Sequence, residues 1–375
     1  MEAPATETEA AALVRDAFEA GEPLALVGGG TRSGLGRPVQ AARTLSTRGL
    51  SGITAYNPQE MVMTARAGTP MNEIEAALEE NRQRLIFEPI DHRALLETDG
   101  EPTIGGVAAV NASGPRRFQA GAARDSLLGL RFVNGRGETI AGGGRVMKNV
   151  TGLDLPKVMA GSFGTLGLIT QVTFKVTPVP ETEATLVWRG LSDAEGIALL
   201  AKALATSAEP SGAAHLPAGI DGDEARTILR LEGFAPSIAE RAARLGLGEP
   251  ERLDAGASAA LWRRVRDVEP LAGRAHVWRI SVAPSQGPAV AKALGGEAIY
   301  DWQGGLVWLA SDAGHEEVRA AIAKVGGHAT LVRAPETLRA AVPVFPPQPE
   351  SVEALERRLR EAFDPKGILN PGLMG

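Results

Sequence analysis

Three glycine-rich segments in the first half of the chain would meet a ligand through backbone rather than side chains. The first, Leu24-Ala25-Leu26-Val27-Gly28-Gly29-Gly30-Thr31-Arg32-Ser33-Gly34, runs a short apolar stretch into three consecutive glycines. Without Cβ atoms, and with positive φ accessible, successive N–H groups can converge on an anion such as a pyrophosphate. Neither common nucleotide fingerprint is met. Ser33 stands where the third glycine of the dinucleotide motif belongs, Leu35–Val39 with its Pro38 does not open a helix, and the lysine of the Walker loop is missing. A phosphate cradle and a plain glycine turn both fit this segment taken alone.

The second segment, Thr103-Ile104-Gly105-Gly106-Val107-Ala108-Ala109-Val110-Asn111-Ala112-Ser113-Gly114, holds nothing larger than isoleucine. Its backbone can lie flat against a ligand and offer free amides to a ring, or it marks a close crossing of two elements. The third, Gly161-Ser162-Phe163-Gly164-Thr165-Leu166-Gly167-Leu168-Ile169-Thr170, is a glycine-spaced turn leading into a strand at Gln171–Val176, or a tight loop and nothing more. Glycine costs entropy on folding and is kept where geometry demands it. Three such bends together point to one ligand.

The elements that must position these bends can be read from periodicity. Residues 1–180 alternate strands and glycine turns with a few helices. Ala5–Ala20 is amphipathic and ends at Gly21, and Leu24–Val27 is a short strand. Met61–Ala67 alternates like a strand, and Thr69-Pro70 starts a helix running to about Arg84. Asn134-Gly135-Arg136-Gly137 turns a hairpin between Leu130–Val133 and Glu138–Ala141. From about Glu181 to Val342 the chain is alanine-rich and helical, broken by short strands at Thr185–Trp188, Thr227–Leu231, His276–Val282 and Gly305–Leu309. A charged helix, Glu350–Phe363, precedes the Asp364-Pro365-Lys366-Gly367 turn. At roughly 100–200 residues per domain, 375 residues make two or three units.

Composition removes several classes of function. With no cysteine, there is no disulfide, thiolate metal site, cysteine-ligated iron–sulfur cluster or cysteine nucleophile, so any electrons must sit on a bound organic cofactor. A formal charge of -6, with no Lys/Arg run longer than a pair, gives no footprint for nucleic acid. The longest uncharged run, Val158–Phe174, is shorter than the roughly 20 apolar residues that span a bilayer. Met1–Ala10 carries three glutamates where an export signal needs basic and then apolar residues, so a cytoplasmic location is expected.

These three segments, in this order, resemble the FAD-binding domain of the vanillyl-alcohol oxidase and p-cresol methylhydroxylase superfamily. More narrowly, the chain resembles the family of FAD-binding second (E) subunits of bacterial glycolate oxidase, nearly end to end. The strings that carry the narrower likeness include Gly114-Pro115-Arg116-Arg117, Arg124-Asp125-Ser126-Leu127-Leu128-Gly129, Val146-Met147-Lys148-Asn149-Val150-Thr151-Gly152-Leu153-Asp154 and Met159-Ala160-Gly161-Ser162. They continue with Arg230-Leu231-Glu232-Gly233, Trp278-Arg279-Ile280-Ser281, Asp301-Trp302, Gly326-Gly327-His328-Ala329-Thr330 and Asp364-Pro365-Lys366-Gly367-Ile368-Leu369-Asn370-Pro371-Gly372.

The resemblance implies an α+β fold: a two-part p-cresol methylhydroxylase-type FAD-binding domain with an α+β cap domain. The FAD domain would be residues 1–180 (subdomains about 1–50 and 51–180), the cap 181–342, and 343–375 a segment returning to the FAD domain. By the same analogy, Gly28, Gly29, Gly30, Thr31, Arg32 and Ser33 would hold the pyrophosphate. Thr103, Gly105, Gly106, Ala109, Asn111, Ala112 and Ser113 would hold the ring edge and pyrophosphate, and Gly164, Leu168 and Ile169 the ring or ribityl side. Many relatives tether the flavin through a histidine in the first loop; Thr31, Arg32 and Ser33 occupy it here, so FAD would be non-covalent.

The implied reaction is oxidation of a small 2-hydroxy acid such as glycolate, which needs a base for the hydroxyl and a cation for the carboxylate. The catalytic paralogue of the family carries a His-x-Gly-Asp-Gly-Asn-x-His string for substrate and metal; this chain has nothing like it. Its five histidines, His92, His215, His276, His315 and His328, show no ligand spacing, so no metal is expected. Arg279 is the candidate anion contact and His328 the candidate base, each with an ordinary structural role as the alternative. Asp301 reads as a solvated or hydrogen-bonded strand end, Arg230 with Glu232 as a structural pair, and Arg116-Arg117 as a solvated face, with FAD phosphates or a partner as the alternative.

The implied partners are a paralogous FAD-linked catalytic subunit and an iron–sulfur subunit, with any membrane association peripheral and through the complex. Three readings follow: a working FAD-dependent dehydrogenase, a flavin relay or scaffold that leaves substrate to its paralogue, and a lone oxidase of sugars or lactones.

Overall fold

A computed structural model describes residues 1–145 and 153–375. Most of the Val146–Asp154 string therefore lies outside the described residues.

The first helix, Glu7–Ala20, starts where the Thr6 hydroxyl accepts from the Glu9 amide and stops at Gly21, whose φ of 69° takes the left-handed turn. Its apolar face, Ala10, Ala11, Val14 and Ala17, is buried. The strand Leu24–Val27 pairs in parallel with Arg43–Ser46. Its other edge is closed by the chain's far end: Leu24 N–H donates to Ile368 O (2.7 Å) and Asn370 N–H to Leu24 O (2.9 Å).

A five-stranded antiparallel sheet follows, in spatial order Ile53–Asn57, Val62–Arg66, Leu168–Lys175, Leu127–Val133 and Thr139–Gly143. The last two strands form the expected hairpin. The Asn134 side chain accepts from the amides of Arg136 and Glu138, both at 3.0 Å, and Gly137 takes a φ of 74°.

Residues 182–333 build an eight-stranded antiparallel sheet in the order Glu251–Leu253, Thr182–Arg189, Arg226–Gly233, Gly212–Leu216, Glu297–Asp301, Leu306–Ala310, Val277–Val282 and Gly327–Arg333. Side-chain alternation sorts this sheet into two faces. Leu229, Leu231, Trp278, Ile280 and Leu309 pack with Ile197, Leu200, Val290 and Val318 of the helices covering one side. Val187, Ile228, Val277, Ile299, Trp308 and Val332, on the other side, share one apolar core with the five-stranded sheet. The same alternation puts Arg279, Ser281, His328 and Thr330, paired across adjacent strands, on that second face. Among the described residues no helix is long and apolar enough to cross a membrane.

Candidate functional site

The carboxyl end of Leu24–Val27 opens into the glycine loop, and there the amides of Gly29, Gly30, Thr31 and Arg32 donate to no acceptor among the described residues. Four successive free N–H groups make an anion nest. Backbone contact explains why these positions are glycine. A Cβ on Gly29 would lie 1.6 Å from Glu101 O, and one on Gly28 would lie 2.5 Å from Thr103 Oγ1.

The second glycine segment departs from expectation. Ile104–Val110 is a helix rather than backbone laid flat on a ligand, because the Thr103 side chain caps it and Ile104, Val107 and Ala108 bury one face. Its Gly105 amide donates to Ala67 O, so it is not free. A Cβ on Gly105 would come within 2.5 Å of the Ala67 side chain, so the glycine allows a close crossing of helix and strand. Past the helix, Asn111 takes a φ of 53° and its Oδ1 accepts from the Arg124 amide. The Ser113 hydroxyl donates to Asn111 O and accepts from the Ala123 amide. These two side chains hold their own loop.

Two adjoining cavities result. The first, about 360 Å³, is lined by Gly28–Ser33, Thr103, Gly105, Gly106, Ala109, Gly164, Leu168 and Ile169, bringing all three glycine segments together. Asn111, Ala112 and Ser113 line instead a second cavity of about 250 Å³. Leu35, Val110 and Phe163 border both. Sequence reasoning missed Asn370 and Arg339 in the first cavity. Asn370 ties three parts of its wall: Oδ1 accepts from Leu26 N–H (2.7 Å) and Nδ2 donates to Phe163 O (2.8 Å). The Asn370-Pro371-Gly372 string was the available signal. Arg339 carried none; it donates to Gly36 O (2.8 Å) from a helix 303 positions away.

The second cavity lies between the small-residue loop and the large sheet, with Arg117, His92, Arg279, Trp308, Thr330 and Phe345 among its lining. The Arg279 guanidinium makes no hydrogen bond or ion pair with any described residue; it lies over Trp302 and Trp308, 5.2 and 6.0 Å from the ring centroids. Burial, then repulsion from Arg117, pulls it down to about 10, so it remains charged at neutral pH. His92 is buried with Nδ1 unpartnered, and desolvation followed by the nearby Arg32 cation pushes it down to about 3, leaving the imidazole neutral. The expected base, His328, stands outside the cavity lining, exposed on the edge strand, two residues from Thr330. Arg32 reaches towards both cavities: it lines the first, its Nη2 donates to Ile90 O (3.2 Å), and its buried Nε has no partner. Among the described residues no group of three or more His, Cys, Asp or Glu side chains could hold a metal.

Behind the cavity the charges are paired. Arg116, expected on a solvated face, is 1% exposed and bridges Glu88 and Glu232. Arg230 pairs with Glu88 (2.9 Å), not with Glu232, whose other partner is Arg84 (2.7 Å). These corrections share a cause. Charged residues buried at the join of two sheets need counter-charges, which come from distant parts of the chain. Asp301 is hydrogen-bonded as expected, accepting from Trp302 N–H (2.7 Å), but it is buried rather than solvated.

The free amides, the glycines that a Cβ would force apart and the cleft joined to a second chamber form an anion-binding site sized for a dinucleotide, on the p-cresol methylhydroxylase-type FAD-binding fold that the comparisons show. An FAD binding domain family model matches residues 2–143. The structure superposes on p-cresol methylhydroxylase with substrate bound at a TM-score of 0.71, with 13% identity over 100% of this chain and 88% of that one. For 4-ethylphenol oxidase from Gulosibacter chungangensis the TM-score is 0.72 at 14% identity, covering 99% and 88%. In sequence, the chain is 36% identical over 365 residues to glycolate oxidase subunit GlcE of Escherichia coli K12, covering 96% of this chain and 95% of that protein. It is 29% identical to glycolate oxidase subunit GlcD of Bacillus subtilis, over 53% of this chain and 39% of that protein. The chain belongs to the GlcE family of glycolate oxidase subunits and is an FAD-dependent oxidoreductase.

Proposed function

We propose that this chain is the FAD-carrying subunit of a glycolate oxidase complex that oxidises a small 2-hydroxy acid, glycolate in the first instance, and passes the electrons to an iron–sulfur partner. In this reading residues 1–180 with 343–375 hold the FAD, and 181–342 cap it. A paralogous FAD-linked subunit completes the complex. The observation that carries it is Arg279, a half-buried guanidinium with no ion pair or hydrogen bond among the described residues, in a cavity adjoining the dinucleotide cleft. Unpaired buried cations are costly unless an anion completes them, and a planar guanidinium matches a carboxylate.

FAD would rest non-covalently on Gly28–Ser33, Thr103, Gly105, Gly106, Ala109, Gly164, Leu168 and Ile169, and when bound it supplies the two-electron acceptor. Arg279 holds the substrate carboxylate. His92, neutral at working pH, takes the hydroxyl hydrogen bond, with His328 on the same sheet face at the rim. The indoles of Trp302 and Trp308 keep Arg279 in place. A flavin relay is the second reading, favoured by the lack of the paralogue's His-x-Gly-Asp-Gly-Asn-x-His string in this sequence.

The purified protein is expected to be yellow and to release its flavin on heating. FAD at about a hundred times its dissociation constant should add roughly 2.7 kcal/mol of stability. Anaerobic mixing of the FAD-loaded chain with glycolate or D-lactate separates the readings. Bleaching by substrate alone supports oxidation by this chain; bleaching only once the partner subunits are added supports the relay.

A further inference from the structure

The second cavity holds not one free guanidinium but two. Arg117, from the short helix Arg117–Ala120, lines it alongside Arg279, from the strand Val277–Val282. Their guanidinium carbons stand at the same distance, 5.2 Å, from the centroid of the Trp302 ring. Neither guanidinium makes a hydrogen bond or ion pair with any described residue. The neighbouring buried arginines do: Arg84, Arg116 and Arg230 are all served by Glu88 and Glu232. Ion-paired carboxylates are thus provided for the arginines behind the cavity, while the two that line it have carboxylates only at longer range.

The indole they share is built, not incidental. Trp302 and Gln303 take φ values of 51° and 54°, a left-handed conformation that costs energy in residues other than glycine. The Trp302 indole N–H donates to Gly114 O (3.2 Å), fixing the ring against the small-residue loop. The nearest carboxylates, Asp301 to Arg279 and Asp125 to Arg117, act through space without forming an ion pair, and neither lines the cavity. His92 is neutral, and the Asp301 carboxyl is engaged by the Trp302 amide and does not line the cavity.

One carboxylate completes one guanidinium and leaves the other bare. The cavity of about 250 Å³ has room for roughly eight waters at ~30 Å³ each, more than a two-carbon acid fills. We infer that this cavity prefers a 2-hydroxy acid carrying a second anionic group, with Arg279 and Arg117 each taking one of the two anionic ends. This deepens the reading above and rests on it. Glycolate would be accepted, and a 2-hydroxy dicarboxylate bound more tightly.

Redox-inert probes separate binding from turnover. With the FAD-loaded chain, calorimetric titration at fixed ionic strength should show succinate binding about tenfold or more tighter than propionate. Arg117→Gln should bring that ratio close to one, while Arg279→Gln should weaken both acids. A wild-type ratio near one overturns this inference and leaves the hydroxy-acid reading standing, as does a high ratio that Arg117→Gln does not change. If no carboxylate binds while FAD stays bound, both fall. Should Arg117→Gln lose FAD or fail to fold, the wild-type ratio decides alone.

Discussion

At the scale of single residues, two groups titrate away from their ordinary pKa, and each makes a prediction. Arg279 is charged, stacked on indoles and without an ion pair. Arg279→Gln should raise the glycolate concentration for half-maximal flavin reduction roughly 10- to 100-fold, as expected for losing a charge-assisted hydrogen bond, while flavin content stays the same. Arg279→Lys should recover part of the loss. Equal behaviour of wild type and glutamine variant in stopped-flow reduction would remove Arg279 from the site. Asp301 is pushed up from 3.8 to about 7, chiefly by burial. The folded state therefore binds a proton that the unfolded chain has lost, and this contribution to stability disappears as pH rises from about 4 through about 7. Asp301→Asn should flatten that decline, so its melting temperature gains on wild type from pH 5 to pH 8. Parallel melting curves across that range would contradict the assignment. The identity of Arg279 as a candidate was legible in sequence. Its lack of an ion pair was not, because that depends on which distant residues Glu88 and Glu232 serve.

At the scale of elements, the cleft depends on places where backbones touch. Gly29 sits against Glu101 O, where a Cβ would fall at 1.6 Å, so the strand-to-loop exit and the chain before Thr103 cannot keep their spacing with any other residue. Gly29→Ala should therefore abolish FAD retention, read as a colourless protein or one whose melting temperature no longer responds to added FAD. Retained flavin at wild-type stoichiometry would show that the loop can shift without cost. Here the sequence was legible in part. The glycine run, the strand Leu24–Val27 and the 134–137 hairpin are local and follow from composition and turn chemistry. The helix at Ile104–Val110 was missed: two glycines argue against a helix, but the Thr103 cap and a buried Ile104–Val107–Ala108 face outweigh them.

At the scale of the molecule, the five-stranded and eight-stranded sheets share one apolar core and are also joined by ions. Arg84, Glu88 and Arg116 on one side meet Arg230 and Glu232 on the other. Removing one partner strands the rest, so Arg116→Met should cost about 3–5 kcal/mol in denaturant unfolding. A cost below about 1 kcal/mol would show the network to be dispensable. Burial alone would raise Glu88 and Glu232, but their arginine partners outweigh it and hold both carboxyls below their ordinary 4.5. Their stabilisation is complete above that value and is lost as pH falls below it, opposite in sign to Asp301.

What the amino-acid order determined by itself was chemistry that depends on near neighbours. It located the glycine bends, most strand positions, the lack of any thiol and the final helix, whose observed limits, Glu350–Phe363, match those read from the sequence. What only the tertiary structure decided was company. The fold brought Asn370 to the strand near the other end of the chain, buried Arg116 between two glutamates, and left Arg117 and Arg279 beside one indole without an ion pair. Such pairings join residues up to 344 positions apart, and no local periodicity encodes which of many arginines will find a carboxylate and which will be left facing a cavity.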